Sequence, residues 1–169
     1  FTDADLAYSP VQVLRVLRAV EDGWDIAIGS RRHREAEAVV APGKGRELGS
    51  RVINGATRLV LAGGYADTQC GLKAFRSDVG RALFGRARVD GFAFDIELLA
   101  MAEVNGLSVT EVPVSLESSA TSTVNVARDA VRLLVDVARI RRWSSGGAST
   151  LGSDDLERLA VGGDGRGDD

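Results

Sequence analysis

One helix-to-strand transition near the start of the chain constrains the fold more than any other feature. Ser9 and Pro10 have the sequence of a helix N-cap followed by proline in the first turn. Apolar residues then recur at helical spacing as far as about Glu21, and Gly23 ends the helix. Residues 24–29 are short, apolar and bounded by glycine, which is typical of a strand. Strand, loop, helix and strand in succession predict an α/β fold with a largely parallel sheet.

Helical and extended patterns alternate along the rest of the chain. Helical spacing and capping residues predict four further helices, over residues 47–61, 77–84, 94–105 and 126–143. Two short strands are predicted, at residues 71–75 and 108–116. Because proline donates no hydrogen bond to a neighbouring strand, we expect the strand at residues 108–116, which contains Pro113, to lie at a sheet edge or to contain a bulge. Residues 30–46 lack periodicity and are rich in arginine, so we expect a mobile basic loop there.

Composition excludes several classes of protein. With 169 residues, 44% of them hydrophobic, the chain is long enough for one domain with a core and too short for two. No apolar run approaches the roughly 20 residues of a membrane span. A single cysteine, Cys70, excludes an internal disulfide framework and a zinc site built from several cysteines. With 21 Lys and Arg against 24 Asp and Glu, we expect no nucleic-acid binding driven by bulk positive charge.

The two ends of the chain differ from its body. Residues 144–169 are rich in serine, glycine and acidic residues, and they contain few large apolar side chains. Such a segment buries too little surface to offset its ordering entropy, so we predict a disordered acidic tail after a domain of residues 1–143. The chain opens on Phe1 with no methionine and no preceding strand. We therefore expect the domain to be incomplete at its N-terminus, either as a fragment or as a shortened gene product.

An acid pair, Asp3-x-Asp5, lies near the end of an expected strand at the start of the chain. Alternation along a strand sends both carboxylates to the same side. Two hard oxygen ligands that leave most of the coordination shell open suit Mg²⁺ or Mn²⁺ shared with substrate phosphates. Taken alone, an acid pair before a helix is more often a solvated turn or a charge bias at the helix N-terminus.

Two further segments carry polar side chains that suit chemistry. Asp95 lies at the start of a predicted helix, where a carboxylate is either a helix cap or part of a site. Residues 66–76 pack small and polar residues around Gly71, which suggests close approach to the backbone. Cys70 within this segment is a possible nucleophile, but His33, the single histidine, lies among arginines. A buried, inert thiol is therefore the favoured interpretation.

Six motifs in this order resemble the family-2 inverting glycosyltransferases, and among them the dolichyl- or polyprenyl-phosphate glucosyl- and mannosyltransferases. They are Thr2–Leu6, Ile28–Arg31, the set Arg46, Ser50, Arg51 and Asn54, then Asp67–Lys73, Gly91–Leu99 and Glu111–Val114. The resemblance covers residues 1–143 and implies a GT-A fold, which is a Rossmann-like α/β sheet. It also implies that the nucleotide-binding half of that fold, which would precede Phe1, is absent from this chain.

The resemblance implies roles for individual residues. Asp3 and Asp5 would hold Mg²⁺ or Mn²⁺ on the diphosphate of a nucleoside diphosphate sugar, UDP-glucose or GDP-mannose. Arg31, Arg46 and Ser50 would bind phosphate in the cleft between the donor and the acceptor. The implied activity is hexose transfer to a lipid phosphate with inversion.

The resemblance places Asp67 and Asp95, together with Arg31, nearest the reacting centre as catalytic residues. A phosphate monoester has a second pKa of about 6, so a lipid phosphate is already a dianion near neutral pH. Such an acceptor needs placement by arginines more than it needs a base, because guanidinium groups bind phosphate bidentately. On this argument Asp95 orients or assists rather than abstracting a proton.

The last predicted helix has two interpretations. Its apolar face either packs in the core or lies, with Trp143 and the terminal arginines, on an anionic bilayer. That face comprises Val126, Ala130, Leu133, Leu134, Val137 and Ile140. For a lipid acceptor we expect a cytoplasmic protein, with peripheral contact at the cytoplasmic face of the membrane as the second interpretation.

Two alternatives to an active glycosyltransferase stay open. The first alternative is a truncated, non-catalytic remnant of such an enzyme. A phosphohydrolase with an aspartate nucleophile also places Asp-x-Asp after its first strand. That class usually has threonine or valine two residues after the second acid, where this chain has Ala7, which makes it the weaker alternative.

Overall fold

The described part of the molecule is a mixed α/β structure. The computed structural model describes residues 1–2, 7–34, 55, 57–58, 60–91, 93–115, 126–152, 155 and 159, and for residues 126–130 the backbone alone. Within these ranges the strands are β1 (Ile26–Ser30), β2 (Lys73–Phe75) and β3 (Val109–Pro113). The helices are α1 (Pro10–Glu21), α2 (Ser77–Phe84), α3 (Phe94–Val104) and α4 (Val126–Ser145).

Strand β1 lies between β2 and β3 in the sheet. It pairs in parallel with β3, which sets Ile28 opposite Glu111, and antiparallel with β2, which sets Ile28 opposite Lys73. The predicted α/β class is therefore confirmed. The expected predominance of parallel pairing is not found among the described strands, since one of these two pairings is antiparallel. A parallel pair needs a crossover to the opposite end of the sheet, whereas β2 begins beside Ile28, at the end of the sheet where β1 ends.

The first three helices have the bounds that the sequence predicts, to within one residue. Gly23 and Gly106 follow α1 and α3 with φ angles of 114° and 67°. Glycine enters this region without steric cost, which explains why both helices end there. The helix predicted over residues 47–61 falls largely outside the described residues, although residues 55 and 57 are helical. Of the predicted basic loop, only residues 30–34 are described.

Hydrophobic side chains cover both faces of the sheet. Ile26 and Ile28 of β1 belong to a large cluster that includes the buried residues of α3 and α4, whereas Ala27 packs with Val16 and Val20 of α1. Successive side chains of a strand point to opposite faces, so β1 is covered on both sides. All five residues of β1 are buried. Strand β1 is therefore the centre of the described sheet, and its carboxyl end lies beside the candidate site.

Residues 144–152 differ from the predicted disordered tail. Leu151 is 5% exposed and belongs to the same hydrophobic cluster as α3. Asn105, which follows α3, donates to the Ser149 carbonyl and accepts from the Leu151 amide. These bonds satisfy polar backbone groups of Ser149 and Leu151, in a turn that composition alone does not predict. The folded part therefore extends past Trp143 to at least Gly152. Of the remaining tail, only residues 155 and 159 are described.

Candidate functional site

The structure describes part of the predicted site. Three of the predicted residues are described, Arg31, Asp67 and Asp95. The other four lie outside the described residues, Asp3, Asp5, Arg46 and Ser50. The structure joins Arg31 to Asp67 directly and joins Asp95 to a lysine, Lys73, that the sequence analysis did not single out.

Arg31 lies immediately after β1 and forms a bidentate ion pair with Asp67. Its Nε is 2.6 Å from Oδ2 of Asp67, and its Nη2 is 2.8 Å from Oδ1. The backbone amide of Arg31 also donates to Oδ2, at 3.1 Å. Asp67 is 3% exposed, so its carboxylate is shielded from water. A charge-assisted pair in this geometry fixes the plane of the guanidinium as well as its position.

The ion pair also sets the electrostatic state of Arg31. The hydrogen bond from Arg31 to Asp67 raises the pKa of the guanidinium above its ordinary value, which is already well above neutral. Nε and Nη2 are both used by Asp67, and among the described residues nothing accepts a hydrogen bond from Nη1. About a third of the Arg31 side chain is exposed. Arg31 therefore combines a fixed orientation with a donor nitrogen that is suited to an anionic ligand.

Glu111 of β3 holds the turn that carries Asp67. Both of its carboxylate oxygens accept from the amide of Ala66 at 3.1 Å, and Oε1 accepts from the amide of Asp67 at 3.1 Å. In the sequence Glu111 is recognisable only as part of a motif. A carboxylate in the middle of a predicted strand is the signal that singles it out, but its partners lie about 45 residues away in sequence.

Lys73 and Asp95 form a second ion pair. The Lys73 ammonium is 2.8 Å from Oδ1 of Asp95 and also donates to the Cys70 carbonyl at 2.7 Å. The Lys73 side chain is 1% exposed, and Asp95 lies in the first turn of α3. A buried ammonium requires a counterion, so this contact explains Asp95 better than a helix cap does.

Cys70 is a buried thiol beside Tyr8. Its Sγ lies 3.3 Å from the Tyr8 hydroxyl, and burial raises the pKa of the thiol. A Cβ placed on Gly29 would lie 2.8 Å from Sγ, so the close approach in this region requires glycine in β1. A protonated, enclosed thiol is a poor nucleophile, in agreement with the interpretation of Cys70 as inert.

Segments on both sides of the acid pair contact the turn at residues 70–73. Before the pair, Thr2 forms an antiparallel bridge with Leu72, and the Lys73 amide donates to the Phe1 carbonyl at 3.0 Å. After the pair, Tyr8 contacts Cys70. The bridge places Thr2 beside Leu72, just before β2, and makes the backbone at Thr2 parallel to β1. A strand that leads toward the candidate site would have this direction.

Two buried hydroxyl groups lie next to the Arg31–Asp67 pair in sequence. Ser30 Oγ and Thr68 Oγ1 are buried and have no hydrogen-bond partner within the described structure. Buried hydroxyls are usually bonded, so these two are candidates for hydrogen bonds to a ligand. The described ranges contain no group of three or more metal-ligating side chains, and none of their helices is long and apolar enough to cross a membrane.

Comparison with known proteins gives several related sequences, among them the three that follow. The chain is 31% identical to glycosyltransferase AglD of Haloferax volcanii over 85% of this chain and 22% of that protein. It is 35% identical to a dolichyl-phosphate beta-glucosyltransferase of Drosophila melanogaster over 68% of this chain and 37% of that protein. It is 36% identical to a polyprenol monophosphomannose synthase of Mycolicibacterium smegmatis over 67% of this chain and 43% of that protein. These relatives support a family-2 glycosyltransferase of this type.

This glycosyltransferase chain spans less than half the length of the curated relatives named above. No family model matches it, and no solved structure does. The family resemblance stated from six motifs is confirmed by these relatives. The Arg31–Asp67 and Lys73–Asp95 pairs join three of these motifs, Ile28–Arg31, Asp67–Lys73 and Gly91–Leu99, so the described geometry gives those three motifs a physical explanation.

Proposed function

We propose that the protein transfers a hexose from a nucleoside diphosphate sugar to a polyprenyl-type phosphate, with inversion at the sugar carbon. The observation that carries this proposal is the guanidinium of Arg31, fixed by Asp67 with Nη1 left for a ligand. The names of the relatives add that related proteins act on dolichyl phosphate or make polyprenol monophosphomannose. Arg46 and Ser50 would complete the phosphate-binding set.

The GT-A fold is proposed on the same basis. The parallel pairing of β1 with β3, with helices on both faces, suits the carboxyl-terminal part of such a sheet. Ligands of open α/β sheets bind outside the carboxyl ends of the strands. Arg31 follows the carboxyl end of β1, which agrees with that rule.

A phosphate acceptor suits the described carboxylates better than a hydroxyl acceptor does. A sugar hydroxyl would need a free carboxylate to take its proton. Both oxygens of Asp67 accept bonds from Arg31, and Asp95 faces the Lys73 ammonium, so neither is a free base. A phosphate dianion needs no base, and Arg31 would bind and orient it for attack on the sugar carbon.

A divalent cation fits the donor set that the sequence offers. We propose that Asp3 and Asp5 hold Mg²⁺ or Mn²⁺, since two carboxylates leave room for diphosphate oxygens. Bound there, the cation would stabilise the negative charge of the departing diphosphate. The described flanks, Thr2 and Tyr8, both lie against the turn at residues 70–73.

Helix α4 supports peripheral contact with a membrane. Leu133, Val137 and Ile140 are buried in the core, as the first interpretation of this helix expects, whereas Leu134, which was assigned to the same face, is 47% exposed. The opposite face exposes three large apolar side chains between four arginines. The apolar residues are Val131, Leu134 and Val135, and the arginines are Arg132, Arg139, Arg141 and Arg142. This arrangement suits an anionic lipid surface, which is where a lipid acceptor would be found.

Trp143 is not part of that outer face. It is partly buried, and the Arg88 guanidinium lies 5.5 Å from the centre of its ring. We therefore propose contact through the outer face of α4 alone, with the protein on the cytoplasmic side of the membrane.

A donor screen tests the proposed activity. The full-length protein is incubated with UDP-glucose or GDP-mannose, polyprenyl phosphate and Mg²⁺ or Mn²⁺, and the lipid product is separated and weighed by mass spectrometry. We expect one donor to give a hexosyl phosphate lipid with the anomeric configuration inverted. Absence of a glycolipid with either donor, or retention of configuration, contradicts the proposal.

A further inference from the structure

Three glutamates of the described chain make the same kind of contact. Each carboxylate accepts hydrogen bonds from two consecutive backbone amides of a turn. Glu97 binds Arg88 and Val89, Glu103 binds Ala62 and Gly63, and Glu111 binds Ala66 and Asp67. Contacts of this kind stabilise the turns that they bind. A variant at one of these glutamates therefore measures the general loss of folding stability, against which a variant at another can be compared.

Only the Glu111 contact among these three continues to the candidate site. The amide that Glu111 binds belongs to Asp67, and the Asp67 side chain binds Arg31 through three hydrogen bonds. Glu111 is therefore linked to the Arg31 guanidinium through Asp67, whose amide binds Glu111 and whose carboxylate binds Arg31. The Glu97 and Glu103 contacts end at turns that lie outside this chain of bonds.

The sheet makes Glu111 a rigid starting point for that chain of bonds. Glu111 is paired in register with Ile28, in the middle of the parallel ladder between β1 and β3. Arg31 follows the same β1 strand, and its own amide donates to Asp67. The turn at residues 66–67 is therefore tied to the sheet from both sides, by Glu111 and by Arg31.

We propose that Glu111 is a positioning residue for the acceptor phosphate. Acting through the turn at residues 66–67 and the Asp67 carboxylate, it sets the plane of the Arg31 guanidinium and so the direction of Nη1. This inference rests on the proposed function, in which Arg31 binds the acceptor. Asp67 on this account is also a positioning residue, since its carboxylate is occupied by Arg31 rather than free to take a proton.

Glu111→Gln in the full-length protein tests the inference. Glutamine keeps the size of the side chain but removes its negative charge, and it replaces the oxygen that faces the Ala66 amide alone with an NH₂ group that repels that amide. We expect the KM for a short-chain, water-soluble polyprenyl phosphate to rise about tenfold, with the KM for the sugar nucleotide unchanged. Glu111→Asp, which retains the carboxylate, should recover part of the loss.

Glu103→Gln is the matched control. It removes the same kind of contact from a nearby turn, and Glu103 also bonds the Tyr65 hydroxyl, so its loss disturbs the fold at least as much. We expect its acceptor KM to stay within about twofold of wild type. Equal changes in the two variants, or a Glu111→Gln effect confined to thermal stability, would overturn the inference.

A double variant tests whether the effect passes through Arg31. In an Arg31→Lys background the side chain can no longer bind Asp67 at two points, so Glu111→Gln should raise the acceptor KM by less than about twofold. If the rise in acceptor KM of the double variant equals the product of the two single rises, Glu111 acts by another route and the inference is overturned.

A spectroscopic measurement separates this inference from the proposed function. The Arg31 side-chain Nε–H resonance, assigned by its absence in Arg31→Lys, should exchange slowly in wild type and in Glu103→Gln. It should shift and exchange faster in Glu111→Gln, whether or not the protein transfers sugar. An unchanged resonance overturns the positioning role, whereas wild-type protein with no transfer to any polyprenyl phosphate refutes the proposed function alone.

Discussion

Arg31 is the residue on which the proposed chemistry depends most directly. Two of its nitrogens bind Asp67, and the third, Nη1, for which the described residues offer no acceptor, is the nitrogen that we propose binds phosphate. Lysine keeps the charge but lacks the planar fork that makes both contacts at once. We expect Arg31→Lys to raise the acceptor KM about tenfold or more in the full-length protein, measured by steady-state kinetics. Arg34→Lys, in the same arginine-rich segment, should change it less than about twofold, and similar effects of the two would contradict this role.

Lys73 is expected to matter for stability as well as for the site. Its ammonium is buried and faces Asp95, so Lys73→Met leaves that carboxylate without its counterion. We expect a loss of about 3 kcal/mol in the free energy of unfolding, measured with denaturant. Arg139→Met breaks a pair with Asp136 in which the arginine side chain is 62% exposed, and it should cost less than about 1 kcal/mol. A Lys73→Met protein as stable as the Arg139 variant would show that the buried pair contributes little.

Gly29 gives a test of the close packing beneath the site. An added Cβ would lie 2.8 Å from Cys70 Sγ and 3.2 Å from the Leu72 carbonyl oxygen. We expect Gly29→Ala to destabilise the protein by about 2 kcal/mol, and Cys70→Ala in that background to recover part of the loss. Gly55→Ala lies in open space on a helical residue and should be neutral or slightly stabilising. Equal stability of the Gly29 and Gly55 variants would contradict the packing argument.

At this scale the sequence identifies the acids of the site but not their partners. Asp67 and Asp95 stand in recognisable motifs, whereas their pairing with Arg31 and Lys73 depends on which strands become neighbours. Arg31 and Asp67 are 36 residues apart, a separation over which local pattern carries no information. The role of Glu111 was missed for the same reason, because its bonds go to backbone amides that any residue type would offer.

Among the elements, helix α4 carries the membrane prediction. Its outer face sets apolar side chains that are 47–65% exposed between arginines. We expect the protein to float with vesicles that contain anionic phospholipid, and Leu134→Glu to reduce the bound fraction several-fold. Leu17→Glu, at an exposed leucine of α1, is the control and should bind as wild type does. Equal binding of the Leu134→Glu and wild-type proteins would refute contact through α4.

Elements with local signals were predicted well, and those that depend on distant contacts were not. α1 and α3 end at glycines with positive φ, a feature written in the sequence itself. The antiparallel pairing of β2 depends on the route of a connection of about 40 residues, which local pattern does not specify. The ordered conformation of residues 144–152 depends on Asn105, whose side chain forms hydrogen bonds with the Ser149 carbonyl and the Leu151 amide.

At the scale of the whole molecule, the proposed metal site would connect the nucleoside diphosphate sugar to the sheet. We expect Mn²⁺ or Mg²⁺ to bind the full-length protein together with UDP or GDP, measured by calorimetry. Asp3→Asn and Asp5→Asn should each abolish this uptake, because two carboxylates are the proposed protein ligands. Asp90→Asn, at an exposed acid in a loop, should retain it. Uptake that survives both of the first two changes would place the metal elsewhere.

The choice between phosphate and hydroxyl acceptors tests the central claim most directly. Full-length protein, its sugar nucleotide and metal are supplied in parallel with a polyprenyl phosphate or with the corresponding polyprenol, and labelled lipid product is counted. With Arg31 fixed for phosphate and both described acids occupied, we predict transfer to the phosphate and none above background to the alcohol. Comparable transfer to the polyprenol would contradict the account, because that reaction requires a free base and no phosphate site.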